Sequence, residues 1–314
     1  MLRKTVIENI LMMFSAFFLV IMFGCNKTIT GPSTTELSTN NQAMMKIADS
    51  DSSISSFLPN YDEEIPMDIS TDQNGNNIYP IKVGQKLRLV SRNLTYTVNG
   101  DTAYGKYTQM FEGVLYIAGS FGQNTPNADT LLQKPFTTII TRNIIFIRTG
   151  NSDKPLLNWR IAAVSLPEGG TMNTNVKIKK ITVSPANGDT ISVNDPNSYY
   201  LSRGPGWWRQ IPFFKPSKPV TVKVEVNSAY ADTDFVTLTH GADFKGFHRE
   251  KVKFDLVSSI QTADGYDKVY SNTFYPHRFP GYFNAVINVY SKQEIFDNAA
   301  PVEIDSWGIP YIVK

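Results

Sequence analysis

Residues 220–226, Val-Thr-Val-Lys-Val-Glu-Val, place a valine at every second position with a polar side chain between each pair. Successive side chains of a β-strand point to opposite faces, so this pattern predicts a strand with one buried and one exposed face. The branched side chain of valine also favours extended backbone. Strands of this kind are typical of antiparallel sheets that cover a core on one side and meet water on the other.

The period of two continues on both sides of this stretch. Val176 and Ile178 alternate with polar residues, and the alternation resumes after a slip at 179–180, which predicts a β-bulge. Turn residues separate the predicted strands at spacings of roughly ten to fifteen residues, as in a sandwich. In strand number and pattern, residues 171–314 resemble an immunoglobulin-like β-sandwich, although the paired cysteines of antibody domains are absent from the sequence. The further strands are predicted at 236–240, 252–256, 269–275, 283–289 and 302–313.

Two hairpins are predicted in the first half of the chain. Alternation over 94–98 ends at Asn99-Gly100, a pair that predicts a tight turn because both residues tolerate left-handed backbone angles. The second hairpin joins the apolar run 139–147 to 156–164 across a polar loop. Both features favour antiparallel pairing, and the chain shows no alternation of strands with long helices that would indicate a parallel sheet.

One helical segment precedes these hairpins. Apolar residues recur at rough helical spacing over 42–58, which predicts a short or broken helix. With the hairpins, this layout is similar to curved-sheet domains of the cystatin and nuclear transport factor 2 type, so an antiparallel-sheet domain, all-β or α+β, is predicted at 42–168. Pro167 and Gly169-Gly170 favour a boundary before the sandwich at 171–314. The predicted fold class is therefore mainly β.

The composition limits the classes of function. Lys and Arg number 30 against 28 Asp and Glu, so the sequence lacks the basic excess that predicts nucleic-acid binding. Its single cysteine, Cys25, excludes a disulfide within the chain. At 314 residues, the chain is long enough to be stabilised by hydrophobic cores.

The amino terminus has the three-part layout of an export signal. Arg3 and Lys4 precede an apolar run at 10–23, which is shorter than the roughly 20 residues of a spanning helix, and Gly24-Cys25 follows. The end of the run, Ile-Met-Phe-Gly-Cys, resembles the lipobox of bacterial lipoproteins, with Phe23 where a small residue is commoner. An uncleaved anchor helix is the alternative interpretation.

The lipobox resemblance implies where the protein is located. Residues 1–24 would be a cleaved signal peptide, and Cys25 would carry acyl chains that hold the protein on a membrane. Asn26 stands where lipoproteins retained at the inner membrane often carry Asp, which favours the outer membrane. Polar residues dominate the stretch after the cysteine, so a flexible tether is predicted at 25–41.

No familiar catalytic motif or cofactor-binding pattern occurs in the sequence, and no catalytic residue, metal or cofactor is predicted. The most metal-like grouping is His240, Asp243 and His248, but its spacing matches no familiar zinc motif, and two strand-end histidines are the alternative. Asp232 and Asp234 could be calcium ligands, although they are not part of the usual calcium-loop pattern Asp-x-Asp-x-Asp-Gly.

The feature with most potential for recognition is the aromatic segment 196–219. Its rings stand among glycines and prolines that exclude one regular strand. The rings could stack on sugars or on an apolar partner while arginines donate hydrogen bonds, or they could close the end of the sandwich. A second loop, 275–282, has the same character. The candidate ligand-binding residues are Tyr199, Tyr200, Arg203, Trp207, Trp208 and Arg209.

The sequence therefore predicts a lipid-anchored envelope protein with a non-enzymatic role in binding or as a scaffold. Its expected partners are a membrane, through the anchor, and a glycan or another envelope protein. The alternative is a carbohydrate-active or other secreted hydrolase whose catalytic carboxylates are dispersed along the chain.

Overall fold

Antiparallel strands dominate the computed structural model, which confirms the mainly β fold class. The predicted signal segment and Cys25 lie outside the described residues. The structure describes residues 39–51, 54, 63–68, 78–121, 127–172, 174–204, 208–242 and 249–314. The helices within these ranges are α1 (Asn40–Ser50), α2 (Pro155–Asn158) and α3 (Lys292–Phe296).

The strands form two sheets. The strands of the first, sheet A, are β1 (Glu63–Asp68), β2 (Ile78–Asn99), β3 (Thr102–Phe121), β4 (Thr130–Arg148), β5 (Trp159–Ser165), β6 (Glu168–Gly170), β9 (Tyr200–Arg203), β10 (Trp208–Arg209), β11 (Phe213–Phe214), β13 (Phe235–Ala242), β14 (Glu250–Lys253), β17 (Gly281–Tyr290) and β18 (Ile304–Val313). The strands of the second, sheet B, are β7 (Val176–Pro185), β8 (Ile191–Val193), β12 (Val220–Ser228), β15 (Asp255–Thr262) and β16 (Gly265–Phe274). Sheet A has the main order β1-β2-β3-β4-β6-β18-β17-β13-β14, and sheet B has the order β15-β16-β12-β7-β8.

Helix α1 packs on the first strands of sheet A. Thr39 caps it, because its hydroxyl accepts a hydrogen bond from the amide of Gln42 at 3.2 Å. Met44 and Ala48 are buried in a core shared with β2, β3, β4 and β5. The apolar spacing of the sequence thus marks the face that the helix buries.

The bounds of α1 differ from the predicted 42–58. The helix begins at Asn40, so it includes the last two residues of the predicted tether, and it ends at Ser50. Most of the remaining predicted stretch lies outside the described residues.

The first predicted hairpin is confirmed, with its turn shifted by one residue. Asn99 pairs with Thr102 as the last pair of β2 and β3, so Gly100 and Asp101 form the turn. Of Asn99, Gly100 and Asp101, Gly100 alone has a left-handed φ, 59°. Asn99 therefore belongs to the strand. The second predicted hairpin is also confirmed, since β4 and β5 pair antiparallel.

The glycine pair at 169–170 lies in β6, which joins the two halves of sheet A. Gly170 pairs with Ile139 of β4 on one side and with Asp305 of β18 on the other. A Cβ atom on Gly170 would overlap the carbonyl oxygen of Ile304, so a side chain would push the strands apart. Hydrogen bonding thus continues across the predicted boundary, and the division into two independently folding domains stays a prediction.

The valine strand at 220–226 is the centre of sheet B. β12 pairs with β16 on one side and β7 on the other, and the four valines of the pattern are all buried. Their core also contains residues of β13, β17 and β18, so the two sheets enclose it as in a β-sandwich.

The predicted single strand at 252–256 is wrong. The chain leaves sheet A after β14, passes through buried Phe254, and enters sheet B as β15.

A carboxylate connects the two sheets at the predicted bulge. The register of β7 against β12 shifts after Ile178, which pairs with Val226, while Lys180 pairs with Glu225. The amide of Ile178 donates a 2.7 Å hydrogen bond to Oδ2 of Asp305, which belongs to β18 of the other sheet. Burial raises the pKa of Asp305 to about 7, and the hydrogen bond from Ile178 opposes that rise.

Substitution of Gly170 by Ala tests the close approach at β6. We expect the free energy of unfolding to fall by about 1–3 kcal/mol, because the new methyl group meets the backbone of β18. Urea unfolding would measure the change. Gly188→Ala is the matched control, because the nearest atom to its added Cβ is a side-chain carbon of Pro185 at 3.1 Å. Equal effects at the two positions would contradict this explanation.

Substitution of Asp305 by Asn tests the buried carboxylate. Its pKa is raised from 3.8 to about 7 on folding, so its contribution to stability is complete below about pH 4 and is lost as the pH rises through 7. The amide side chain of the variant cannot ionise, so we expect the variant to lose that part of the pH dependence, on the order of 4 kcal/mol at most. Unfolding at a series of pH values would show the variant gaining stability relative to the unsubstituted chain as the pH rises.

Asp255→Asn serves as the comparison, because it removes the same charge from an exposed position of β15. We expect its pH profile to follow that of the unsubstituted chain. A parallel profile for the Asp305 variant would instead show that this carboxylate does not couple to folding.

Candidate ligand-binding surface

The aromatic segment 196–219 crosses sheet A as short pieces. A 3-10 turn, Pro196–Ser198, begins where the carboxylate of Asp195 accepts a hydrogen bond from the amide of Asn197 at 2.9 Å. β9 then pairs with β5, β10 turns back onto β9, and β11 runs parallel to the end of β18. Glycines and prolines therefore interrupt the segment as predicted, and residues 205–207 lie outside the described residues.

The two predicted tyrosines are half-buried. Tyr199 packs against the sandwich core, and its hydroxyl donates to the carbonyl oxygen of Gln210 at 3.3 Å. Burial raises the pKa of Tyr199. Burial also raises the pKa of Tyr200, while a hydrogen bond with Asn143 opposes the rise. Tyr200 thus connects the segment to β4 of sheet A, whereas Tyr199 packs on the core and connects two parts of the segment itself.

The other four predicted residues occupy different positions. Arg203 contacts the end of helix α1, because its Nη1 lies 2.5 Å from Oδ2 of Asp51. Trp207 lies outside the described residues, and only the backbone of Trp208 is described, paired with that of Arg203. Arg209 is exposed. Because the side chains of Trp207 and Trp208 are outside the described part of the structure, the joint role of the six residues in binding stays a prediction.

Exposed rings alternate with buried rings where β11 and β16 end. Phe214 is buried, while its neighbour Phe213 is 47% exposed. Phe274 is buried, while Tyr275 is 61% exposed. The buried rings pack on Tyr311, whose ring centroid lies 5.1 Å from that of Phe214 and 6.1 Å from that of Phe274.

The two aromatic loops meet at this end of the sandwich. The amide of Ser217 donates a hydrogen bond to the carbonyl oxygen of Pro276 at 3.1 Å, which joins the segment 213–218 to the loop 275–280. Phe279, in that loop, is 76% exposed. We call the exposed rings of Phe213, Tyr275 and Phe279 the aromatic end.

The loops of the aromatic end carry cations, and one further cation contacts a ring. The ammonium of Lys314 lies 3.5 Å from the ring centroid of Phe213, a cation–π contact. Neither 196–219 nor 275–282 contains an acidic residue. Sequence reasoning missed Lys314, because its contact depends on the parallel pairing of β11 with β18. The exposed cations of these segments, besides Arg203 and Arg209, are Lys215, Lys218 and Arg278, and Lys314 lies outside both segments.

The histidines near this end are engaged with the protein. His240 is buried against the ring of Phe274, with centroids 4.5 Å apart, and burial lowers its pKa to about 4. His277 is hydrogen-bonded through Nε2 to the carbonyl oxygen of Gly241 at 3.1 Å. Residues 243–248, with the Asp243 and His248 of the metal-like grouping, lie outside the described residues. Within the described ranges, no group of three or more potential metal ligands occurs.

The two aspartates considered for calcium both lie near lysines. Asp232 is 3.8 Å from Nζ of Lys292. Nζ of Lys268 lies 2.9 Å from Oδ2 of Asp234, and both side chains are fully buried. Burial raises the pKa of Asp234, and the charge of Lys268 opposes the rise. An ammonium therefore occupies the position at this carboxylate that a metal cation would need.

No protein-family model and no curated protein matches this chain. Among the helices of the described residues, none is long and apolar enough to cross a membrane.

Proposed function

We propose that this protein is a lipid-anchored binding protein of the bacterial cell envelope, and that its aromatic end binds a glycan that carries negative charge. The anchor rests on the sequence, through the apolar run at 10–23 and the Gly24-Cys25 pair that follows it. The binding role rests on the aromatic end and its cations.

The observation that carries the binding role is the exposure of three rings on loops that the fold holds in place. An exposed aromatic ring contributes little to the core, whereas its flat apolar face can pack on the face of a sugar. Phe213 is held by β11, and the loop of Tyr275 and Phe279 is bonded to Ser217. Rings on held loops lose less freedom on binding, which favours affinity.

The negative charge of the ligand is inferred from the side chains around the rings. Lysine and arginine donate charge-assisted hydrogen bonds to carboxylate, sulfate or phosphate groups. The two loops supply Lys215, Lys218 and Arg278 without an acidic residue, so these loops are positively charged in a chain whose net charge is only +2. An anionic glycan complements such a surface better than a neutral one.

The buried acids do not support a hydrolytic site at this surface. Asp234, Glu294 and Asp305 have raised pKa values because of burial, and each accepts hydrogen bonds from the protein. All three lie in the interior of the fold. The aromatic end itself contributes rings and cations, which suit binding.

Substitution of Cys25 by Ser tests the anchor. The serine hydroxyl does not replace the thiol in lipoprotein acylation, so we expect loss of fatty-acyl labelling and loss of the detergent-phase form of the protein. Metabolic labelling and detergent partitioning would measure both. Asn26→Ser, which keeps the cysteine, is the control. A Cys25 variant that still enters the detergent phase and is cleaved after Gly24 would refute the anchor.

Binding to immobilised polyuronate, compared with a neutral glucan, tests the ligand class. We expect the chain from Asn26 onward to be retained by polyuronate and to be released as salt is raised. Tyr275→Ala and Phe279→Ala should each weaken binding about tenfold, equivalent to about 1.4 kcal/mol. Arg278→Glu should weaken binding and reduce its dependence on salt.

Leu157→Ala provides the reference variant, because Leu157 is 65% exposed and belongs to α2. Its binding should equal that of the unsubstituted chain. Equal retention by the neutral glucan would contradict the charge preference. Retention that survives all three substitutions at the aromatic end would place the binding site elsewhere.

A further inference from the structure

Among the described strands, β15 carries a regular, uncharged stretch at the edge of a sheet. Natural proteins shield edge strands with charges, prolines or short length, because an open edge can pair with another strand. β8, the other edge of sheet B, has only three residues. In sheet A, the edge strand β14 contains three charged residues, and β1 contains three acidic residues and a proline. β1 covers β2 only up to Gln85, and the part of β2 beyond it, which pairs with β3 alone among the described strands, carries Lys86, Arg88 and Arg92. β15 has eight residues, and its only charge is Asp255 at the start.

The side chains of β15 are exposed along nearly its whole length. Val257 is 62% exposed and Ile260 is 65% exposed, and Leu256 is 38% exposed. A register shift against β16 falls between Leu256 and Ser258, and the pairing is regular from Ser258 to Thr262. These last five residues therefore present a regular and uncharged edge.

We propose that β15 pairs antiparallel with β15 of a second copy of this chain. A two-fold axis at Ile260 would place this residue opposite its own counterpart, Ser258 opposite Thr262, and Ser259 opposite Gln261. Each opposed pair is then compatible, with isoleucine against isoleucine and hydroxyl or amide groups against each other. Like charges would face each other nowhere in the regular stretch.

A second copy fits this edge because an antiparallel pair of identical strands is self-complementary. Two-fold dimers are the commonest oligomers of proteins, and they require the same patch on both partners. The regular stretch is symmetric in character about Ile260, with polar uncharged residues on both sides. This proposal is independent of the aromatic end and of its ligand.

Cysteine crosslinking in membranes that contain the full chain tests the pairing. Opposed residues of antiparallel strands have Cα atoms about 4.5–5.5 Å apart, which a disulfide can span. We expect Ile260→Cys to give roughly ten times more disulfide dimer under mild oxidation than Ser192→Cys on the opposite edge, because only the former residues would be opposed. The unsubstituted chain is the control for crosslinks through Cys25, which is its only cysteine.

The register gives a second test. Ser258→Cys should not crosslink with itself, because the two copies of this residue would lie about 13 Å apart along the strands. Adding Thr262→Cys to that variant should restore the crosslink. Dimer formation by Ile260→Cys no greater than by Ser192→Cys would overturn the proposal. So would a Ser258→Cys crosslink as strong as that of Ile260→Cys.

Discussion

The close approach of backbone at Gly169 and Gly170 is the constraint on which the rest of the structure depends. A side chain at Gly169 would meet β4 and one at Gly170 would meet β18, so β6 can pair with both strands only because it has neither. The position of β18 then determines two other features. Asp305 reaches the amide of Ile178 in sheet B, and Tyr311 supports the buried rings beneath the aromatic end.

Buried polar contacts connect the same regions with directional bonds. Nζ of Lys134, in β4, donates to the carbonyl oxygens of Glu294, Asp297 and Ala300, which follow one another around the end of α3. Buried polar contacts of this kind add little net stability, because the cost of removing the groups from water offsets much of the interaction energy. Removing one partner, however, leaves the other buried and unpaired, which is destabilising. Their consequence is therefore specificity. Strands from distant parts of the sequence have few alternative arrangements that satisfy these groups.

Local patterns in the sequence were enough to predict part of the fold. Alternation at 220–226, the bulge after Ile178 and the two hairpins all depend on neighbours in the chain, and all are found. The exit from sheet A at Phe254 was missed, because alternation continues through it and only tertiary packing decides which sheet a strand joins. For the candidate site, composition indicated the two loops, but their contact through Ser217 depends on the folded chain.

The proposed pairing of β15 has a geometric consequence for the proposed binding surface. β16 runs beside β15 and ends at Phe274, directly before Tyr275 of the aromatic end. Antiparallel pairing reverses the strand direction between the two copies, so their aromatic ends would face opposite directions along the strands. Such a dimer would bind two separate glycan segments and could bridge them. It would gain avidity only from a ligand long or dense enough to reach both surfaces.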